Sequence, residues 1–329
     1  MKYEECKIDS FSSFISFRKN YSLLFILVFL SIGLSTIGIL VTHTFATAQT
    51  NQLDFNFVAA GDFGCGKNAN RTITSMLARE PEVVIALGDL SYQKTADCWF
   101  QVVSPLDTDG RLKIAIGDNE MFPYKFSQYM KHFKMDSPFY SFDHGNVHFL
   151  SMATAKNKVI PYNETSEQYK FVQDDLKRAH ENKSINWIIV YSFRAFYSSN
   201  TTHPGLDELQ DLYHPLFDKY GVDIVLQAHN HNYQRTYPLN YNVTRTFTPI
   251  ITDRDTEKYN YDPKGPIFIT AGTGGEDLYN FTGQAPYVIT QFQRHGFLNI
   301  DIVENGTRLN GNFYENRANS NKDHFTITK

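Results

Sequence analysis

From Leu53 onward the chain alternates short, dense apolar runs with longer amphipathic stretches. Segments 55–60, 83–87, 112–116, 148–152, 188–191, 224–227 and 267–271 are four to six residues long, rich in Val and Ile, and mostly closed by Gly or a polar residue. Such runs predict buried strands. Between several of them the spacing predicts helices over 70–79, 166–180 and 206–220. For the second, Thr165 is the expected N-cap, with Gln168 completing a capping box. Gly221 is the expected stop of the third. The alternation gives an α/β class with a layered sheet. Segment 240–266 is polar and without period, so a long surface loop is expected there. Segments 297–303 and 309–314 alternate around Asn305-Gly306, a hairpin signal. No internal repeat or Pro/Gly linker interrupts 49–329, which reads as one compact domain.

The N-terminus differs in kind. Residues 21–41 form an uncharged apolar stretch long enough to span a bilayer as a helix. Lys2, Lys7, Arg18 and Lys19 precede it, and no Lys or Arg follows until Lys67. That asymmetry keeps the N-terminus cytoplasmic and sends the remainder outside. Residues 1–48 are therefore expected to be a cytoplasmic stub plus either a membrane anchor or a signal peptide cut near Ala46-Thr47-Ala48. The length of the run favours the anchor. Either way the rest of the chain is extracytoplasmic. Seven Asn-X-Ser/Thr sequons, at Asn70, Asn163, Asn182, Asn200, Asn242, Asn280 and Asn305, fit export.

The chain has 329 residues, 42% of them hydrophobic, enough for a substantial core. A net charge of −4 argues against a nucleic-acid partner. Cys6, Cys65 and Cys98 are too few for a disulfide scaffold. Neighbouring strands would bring Cys65 and Cys98 together at the rim of one sheet. A single disulfide is expected there, two unpaired thiols being the alternative.

The chemistry sits at the ends of the apolar runs. Gly61-Asp62-Phe63-Gly64, Gly88-Asp89-Leu90-Ser91-Tyr92, Gly117-Asp118-Asn119-Glu120 and Ala228-His229-Asn230-His231 each follow one. A single Gly-Asp pair is an ordinary turn. Four such clusters at strand ends place carboxylates, a phenol and imidazoles along one sheet edge, where ligands bind in open α/β sheets. Hard oxygen and imidazole donors suit a metal pair that hydrolyses. Tyr92 near Asp89 favours a trivalent ion such as Fe(III), because a phenol loses its proton only to a strong Lewis acid.

Taken in order, these clusters, with Val190-Tyr191-Ser192-Phe193-Arg194 as the fourth, resemble those of the calcineurin-like metallophosphoesterases. Tyr92 and the run His229-Asn230-His231-Asn232-Tyr233-Gln234-Arg235-Thr236-Tyr237-Pro238 resemble the purple acid phosphatase branch. The resemblance covers about residues 53–314. It implies a two-sheet βαβ sandwich flanked by helices and holding two ions. By position, Asp62, Asp89, Tyr92 and His231 would hold the first ion, Fe(III), with Asp89 bridging to the second. Asp118, Phe193 and His229 match the remaining second-ion positions, for a divalent Zn, Mn, Fe or Mg.

Three positions depart from the family. Its third motif reads Gly-Asn-His-Asp/Glu; here Asp118 stands for the Asn and can still donate oxygen. Asn119 stands for a His that assists phosphate binding and the leaving group. Phe193 stands for a His ligand and has no lone pair. His203 matches another histidine of the family's substrate pocket and is the candidate proton donor, or else a surface loop residue. Arg194 is either a phosphate contact or a surface charge. The implied activity is hydrolysis of phosphate monoesters by metal-bound hydroxide. The competing reading is an impaired relative that binds metal or phosphate without turnover.

Overall fold

A computed structural model describes residues 53–155, 159–245, 247–260, 265–317 and 319–329. The expected membrane or signal segment lies outside the described residues. Among the described residues no helix is long and apolar enough to cross a membrane.

In chain order the first strands are β1 Phe55–Ala60, β2 Val83–Ala86, β3 Leu112–Ile114, β4 Tyr140–His144, β5 Val147–Met152, β6 Trp187–Ser192 and β7 Ile224–Gln227. They continue as β8 Tyr233–Asn240, β9 Ile250–Ile251, β10 Lys258–Asn260, β11 Ile267–Ala271, β12 Val288–Phe292, β13 Gly296–Val303, β14 Arg308–Glu315 and β15 Ser320–Thr328. The helices are α1 Lys67–Leu77, α2 Asp97–Val103, α3 Pro123–His132, α4 Glu167–Glu181 and α5 Asp207–Tyr220. One sheet runs β10-β15-β14-β13-β1-β2-β3 and the other β12-β8-β11-β7-β6-β5-β4. β1, β2 and β3 are mutually parallel, as are β5, β6, β7 and β11. Each parallel set is flanked by antiparallel strands.

The pleat of β1 shows why its sequence is apolar everywhere but Asn56. Phe55, Phe57 and Ala59 enter the core between the sheets, and Val58 and Ala60 enter the layer shared with α1, α2 and α3. Phe57 meets Phe149 of the opposite sheet edge-on, with ring centres 5.1 Å apart. On the far side, α4 and α5 cover the second sheet through Val172, Leu176, Leu209 and Phe217. The result is the expected two-sheet α/β sandwich with helices outside.

Local expectations fared unevenly. The cap of α4 is Ser166, whose hydroxyl accepts from the Tyr169 N–H at 3.1 Å. Thr165 instead donates to Asn163, and Gln168 is buried with its amide on both backbone groups of Ala153, so no capping box forms. Helix α1 begins three residues before the expected 70. Gly221 does close α5, in the left-handed conformation with φ 68°. Segment 240–266 is not one long loop: it carries β9 and β10, and Tyr259 is fully buried. The exposed–buried–exposed pattern of β10 hid it, because its only inward side chain is that tyrosine. Cys65 and Cys98 form the expected disulfide.

The two sheets are tied at one end by a buried ion pair. Arg235 of β8 donates from Nε and Nη2 to Asp323 of β15 at 2.6 and 2.7 Å, and the Tyr233 hydroxyl donates to the same carboxylate at 2.8 Å. Arg235 is only 1% exposed. Removing the anion would strand a buried guanidinium, a change that costs about 3–5 kcal/mol. Asp323→Ala is expected to lose that much in urea unfolding, and a loss under about 1 kcal/mol would show the pair to be dispensable.

Candidate functional site

Asp62, Asp89 and His229 each follow a parallel strand, and all three have left-handed backbones, with φ 56°, 47° and 69°. This conformation is uncommon for residues with a Cβ and gathers at functional turns. It turns the chain sharply as the strand ends. Neighbouring turns hold one another in that shape. The Asp62 N–H donates to Gly88 O at 3.0 Å, Phe63 N–H to Asp89 O at 3.1 Å, and His229 N–H to Asp62 Oδ2 at 3.0 Å. Gly88 has φ 93°, and a Cβ there would press on Phe193 and on the backbone of Gly117. Gly272, from the glycine-rich turn after β11, passes so close to Asn230 and Asp62 that a Cβ has no room.

The first group is compact. The Tyr92 hydroxyl lies 3.2 Å from Asp62 Oδ1 and 3.0 Å from His231 Nε2, which is 3.3 Å from the same Asp62 oxygen. His231 Nδ1 donates to the Asp277 carbonyl at 2.8 Å, so Nε2 is the nitrogen left to face the group. The Tyr279 ring stacks on His231 at 4.0 Å. Asp89 lies beside them, and both its oxygens accept from Asn119, from the backbone N–H at 2.8 Å and from the side-chain amide at 2.7 Å. Among the described residues no cluster of three or more His, Cys, Asp or Glu has metal-binding geometry by itself. The compact triangle includes a phenol.

The electrostatics of this group are those of crowded anions. Burial pushes the Asp89 carboxyl well above its ordinary value, and the charges of Glu120 and Asp62 push it further against the donors of Asn119. Burial and the Asp62 and Asp89 charges raise the Tyr92 phenol far above 10. Burial lowers His231, but Asp62 and the Asp277 carbonyl outweigh it and the net shift is upward.

The second group has a different character. Asp118 Oδ2 accepts from Arg194 Nη2 at 2.5 Å, while Asp118 Oδ1 and Arg194 Nε are buried without hydrogen-bond partners among the described residues. Phe193 is fully buried and its ring centre lies 4.8 Å from that of His229. His203 stacks on the other side of His229 at 3.8 Å, its backbone held on both sides by the Asn230 amide. Both imidazoles sit below their ordinary value: His229, at about 3, by burial, His203 and Arg194, and His203 by burial and the charge of His231.

Two supporting residues escaped the sequence reading. Glu120 is fully buried and accepts the N–H groups of Asp89 at 2.8 Å, Leu90 at 3.0 Å and Gly117 at 2.9 Å, locking the second and third turns together. Lys125 is 1% exposed and donates to Ser91 O at 2.6 Å and Gln93 O at 2.8 Å, pinning the chain on both sides of Tyr92. Glu120 ended a recognised cluster and so had a signal. Lys125, one lysine on an amphipathic helix, had none. His132, His144 and His148 are paired with carboxylates of Asp107, Glu82, and Asp143 and Asp175, away from these groups.

The fold and site place the chain among known proteins. Residues 55–233, more than half the chain, match the calcineurin-like phosphoesterase family model, and the chain belongs to that family. Its relatives are purple acid phosphatases. It is 28% identical over 256 residues to human acid phosphatase type 7, covering 69% of this chain and 56% of that one. It is 25% identical over 256 residues to purple acid phosphatase 23 of Arabidopsis thaliana, covering 65% and 51%. The chain thus spans about half the length of these relatives. A purple acid phosphatase from yellow lupin seeds shares the fold with TM-score 0.67 at 20% identity, over 84% of this chain and 54% of that one. An anchor protein of the Plasmodium inner membrane complex does so with TM-score 0.62 at 14% identity, over 84% and 89%.

Proposed function

We propose that this chain is an exported phosphoesterase that hydrolyses phosphate monoesters around one tightly held metal ion. The carrying observation is the triangle of Asp62 Oδ1, Tyr92 Oη and His231 Nε2, with edges of 3.0 to 3.3 Å. Donors lying roughly 2.0–2.2 Å from a shared ion are about 3 Å apart on a coordination face. The three atoms therefore fit one ion, with Asp89 alongside. The crowding of anions is the electrostatic complement of a bound cation. A phenol raised so far by its surroundings stays protonated unless the ion is a strong Lewis acid, which supports Fe(III) there. The second-ion positions do not fit in the same way: Phe193 offers no donor, and Asp118 is already paired.

Bound at the triangle, the ion would polarise a phosphoryl oxygen and acidify a water. The chain's own groups do the rest. Asn119 holds the Asp89 carboxylate through two hydrogen bonds and so acts by positioning. His203 and His229 present ring nitrogens that bond to no protein group among the described residues. His203 is the candidate to hand a ring-nitrogen proton to the leaving oxygen. Loss of such a donor costs about 10²–10⁴-fold in rate. The Cys65–Cys98 disulfide supports an extracytoplasmic location, whether the N-terminal segment anchors the protein or is removed. Phosphate esters are the proposed substrates, and no nucleic-acid partner is proposed.

Phe193 and Asn119 favour a second reading, a metal- or phosphate-binding module without turnover. Incubating the iron-loaded protein with an aryl phosphate separates the two. Metal-dependent phosphate release, reduced at least about 100-fold in His203→Ala, is the expected result. Bound iron with no release would establish the binding module.

A further inference from the structure

The second-ion side of the site raises a question that the family resemblance does not answer. Three features there fit together. Phe193, fully buried, fills the position of a ligand and packs its ring against His229 and beside the Gly88 and Gly117 backbones. Asp118 binds Arg194 at 2.5 Å. Both partners of that pair are part-exposed, at 24% and 20% of their side-chain surface, so the pair is open to solvent rather than sealed in the core.

We propose that the Arg194 guanidinium, clamped by Asp118, replaces the second cation and grips the oxygens of the phosphoryl group. This rests on the one-ion reading above and extends it. One Nη of the guanidinium is spent on Asp118, while 24% of the side-chain surface stays exposed. The planar fork thus keeps donors for a tetrahedral oxyanion, the geometry that guanidinium recognises best. Asp118 and Phe193 then form a matched set. An aspartate where the family has asparagine supplies the anion that orients Arg194, and a phenylalanine where it has histidine removes the donor a metal would need. The same guanidinium repels any dication placed beside it. The arrangement supplies fixed positive charge opposite the first ion without a second metal.

The proposal makes paired statements about metal count and anion affinity. The full-length iron-loaded protein is expected to hold one ion. Phe193→His alone should still hold one, because Arg194 remains, whereas Phe193→His with Arg194→Ala should take up a second ion from zinc-containing buffer. Arg194→Ala and the size-conserving Arg194→Gln should each keep one ion and a native circular dichroism spectrum. Each should weaken inorganic phosphate binding, read by calorimetry, by about tenfold or more, with Arg194→Lys partly restoring it. Two ions in the unaltered protein, or phosphate affinity untouched by Arg194→Gln, would overturn the proposal. A protein with no ion but Arg194-dependent phosphate binding would sink the hydrolase reading and leave the guanidinium grip standing.

Discussion

Replacing His231 with alanine is expected to lower iron affinity by more than about 100-fold and to remove hydrolysis with it. The 10–100-fold scale holds for residues that only orient a ligand, and His231 is placed as a ligand itself. Its Nε2 is one corner of the triangle with Asp62 and Tyr92. The imidazole is held from behind by the Asp277 carbonyl and from the side by Tyr279, which fixes Nε2 toward the triangle. Metal titration of the purified variant, with its visible spectrum, checks the effect. The unaltered protein should show a tyrosinate-to-iron band that the variant loses. Unchanged affinity and spectrum in His231→Ala would remove this histidine from the site.

Glu120→Ala is expected to damage stability and metal binding together, although Glu120 is not itself a proposed ligand. One carboxylate accepts three buried N–H groups, those of Asp89, Leu90 and Gly117. Each donor stranded in a dry interior costs about 1–3 kcal/mol, so the variant should lose about 3 kcal/mol or more in urea unfolding. Asp89 has a left-handed backbone that its own N–H bond to Glu120 holds in place. Metal affinity should therefore fall together with stability. Glu120→Gln should recover only part of either, since its NH₂ group would face a donor. A Glu120→Ala protein with native stability and metal content would show that the turns hold themselves.

Much of this was legible in the chain before any coordinates, and the reasons are specific. The parallel strands β1, β2, β6, β7 and β11 are buried on both faces, so their apolar runs stand out with no phase to resolve. The turns after β1, β2, β3 and β7 carry Asp62, Asp89, Asp118, His229 and His231 at the sheet edge where such turns collect ligands. The two strands at the far end of the first sheet, β10 and β15, were harder. β10 and β15 alternate inward apolar with outward polar residues in a Thr- and Asn-rich stretch, which reads as loop until the pairing partner is known. The cap of α4 moved by one residue because Gln168 found a better use on Ala153. Asn119, which stands where the family resemblance implies a phosphate-assisting histidine, donates two hydrogen bonds to Asp89, a contact that the resemblance did not signal. Arg194, Glu120 and Lys125 matter through contacts separated by 76, 31 and 34 residues in sequence, and no local pattern encodes those.

Anomalous scattering at the iron edge from crystals of the iron-loaded protein tests the central claim most directly. A single peak within bonding distance of Asp62, Asp89, Tyr92 and His231, with none between Asp118 and His229, is the predicted result. Iron bound elsewhere, or absent from that group of side chains, would contradict it.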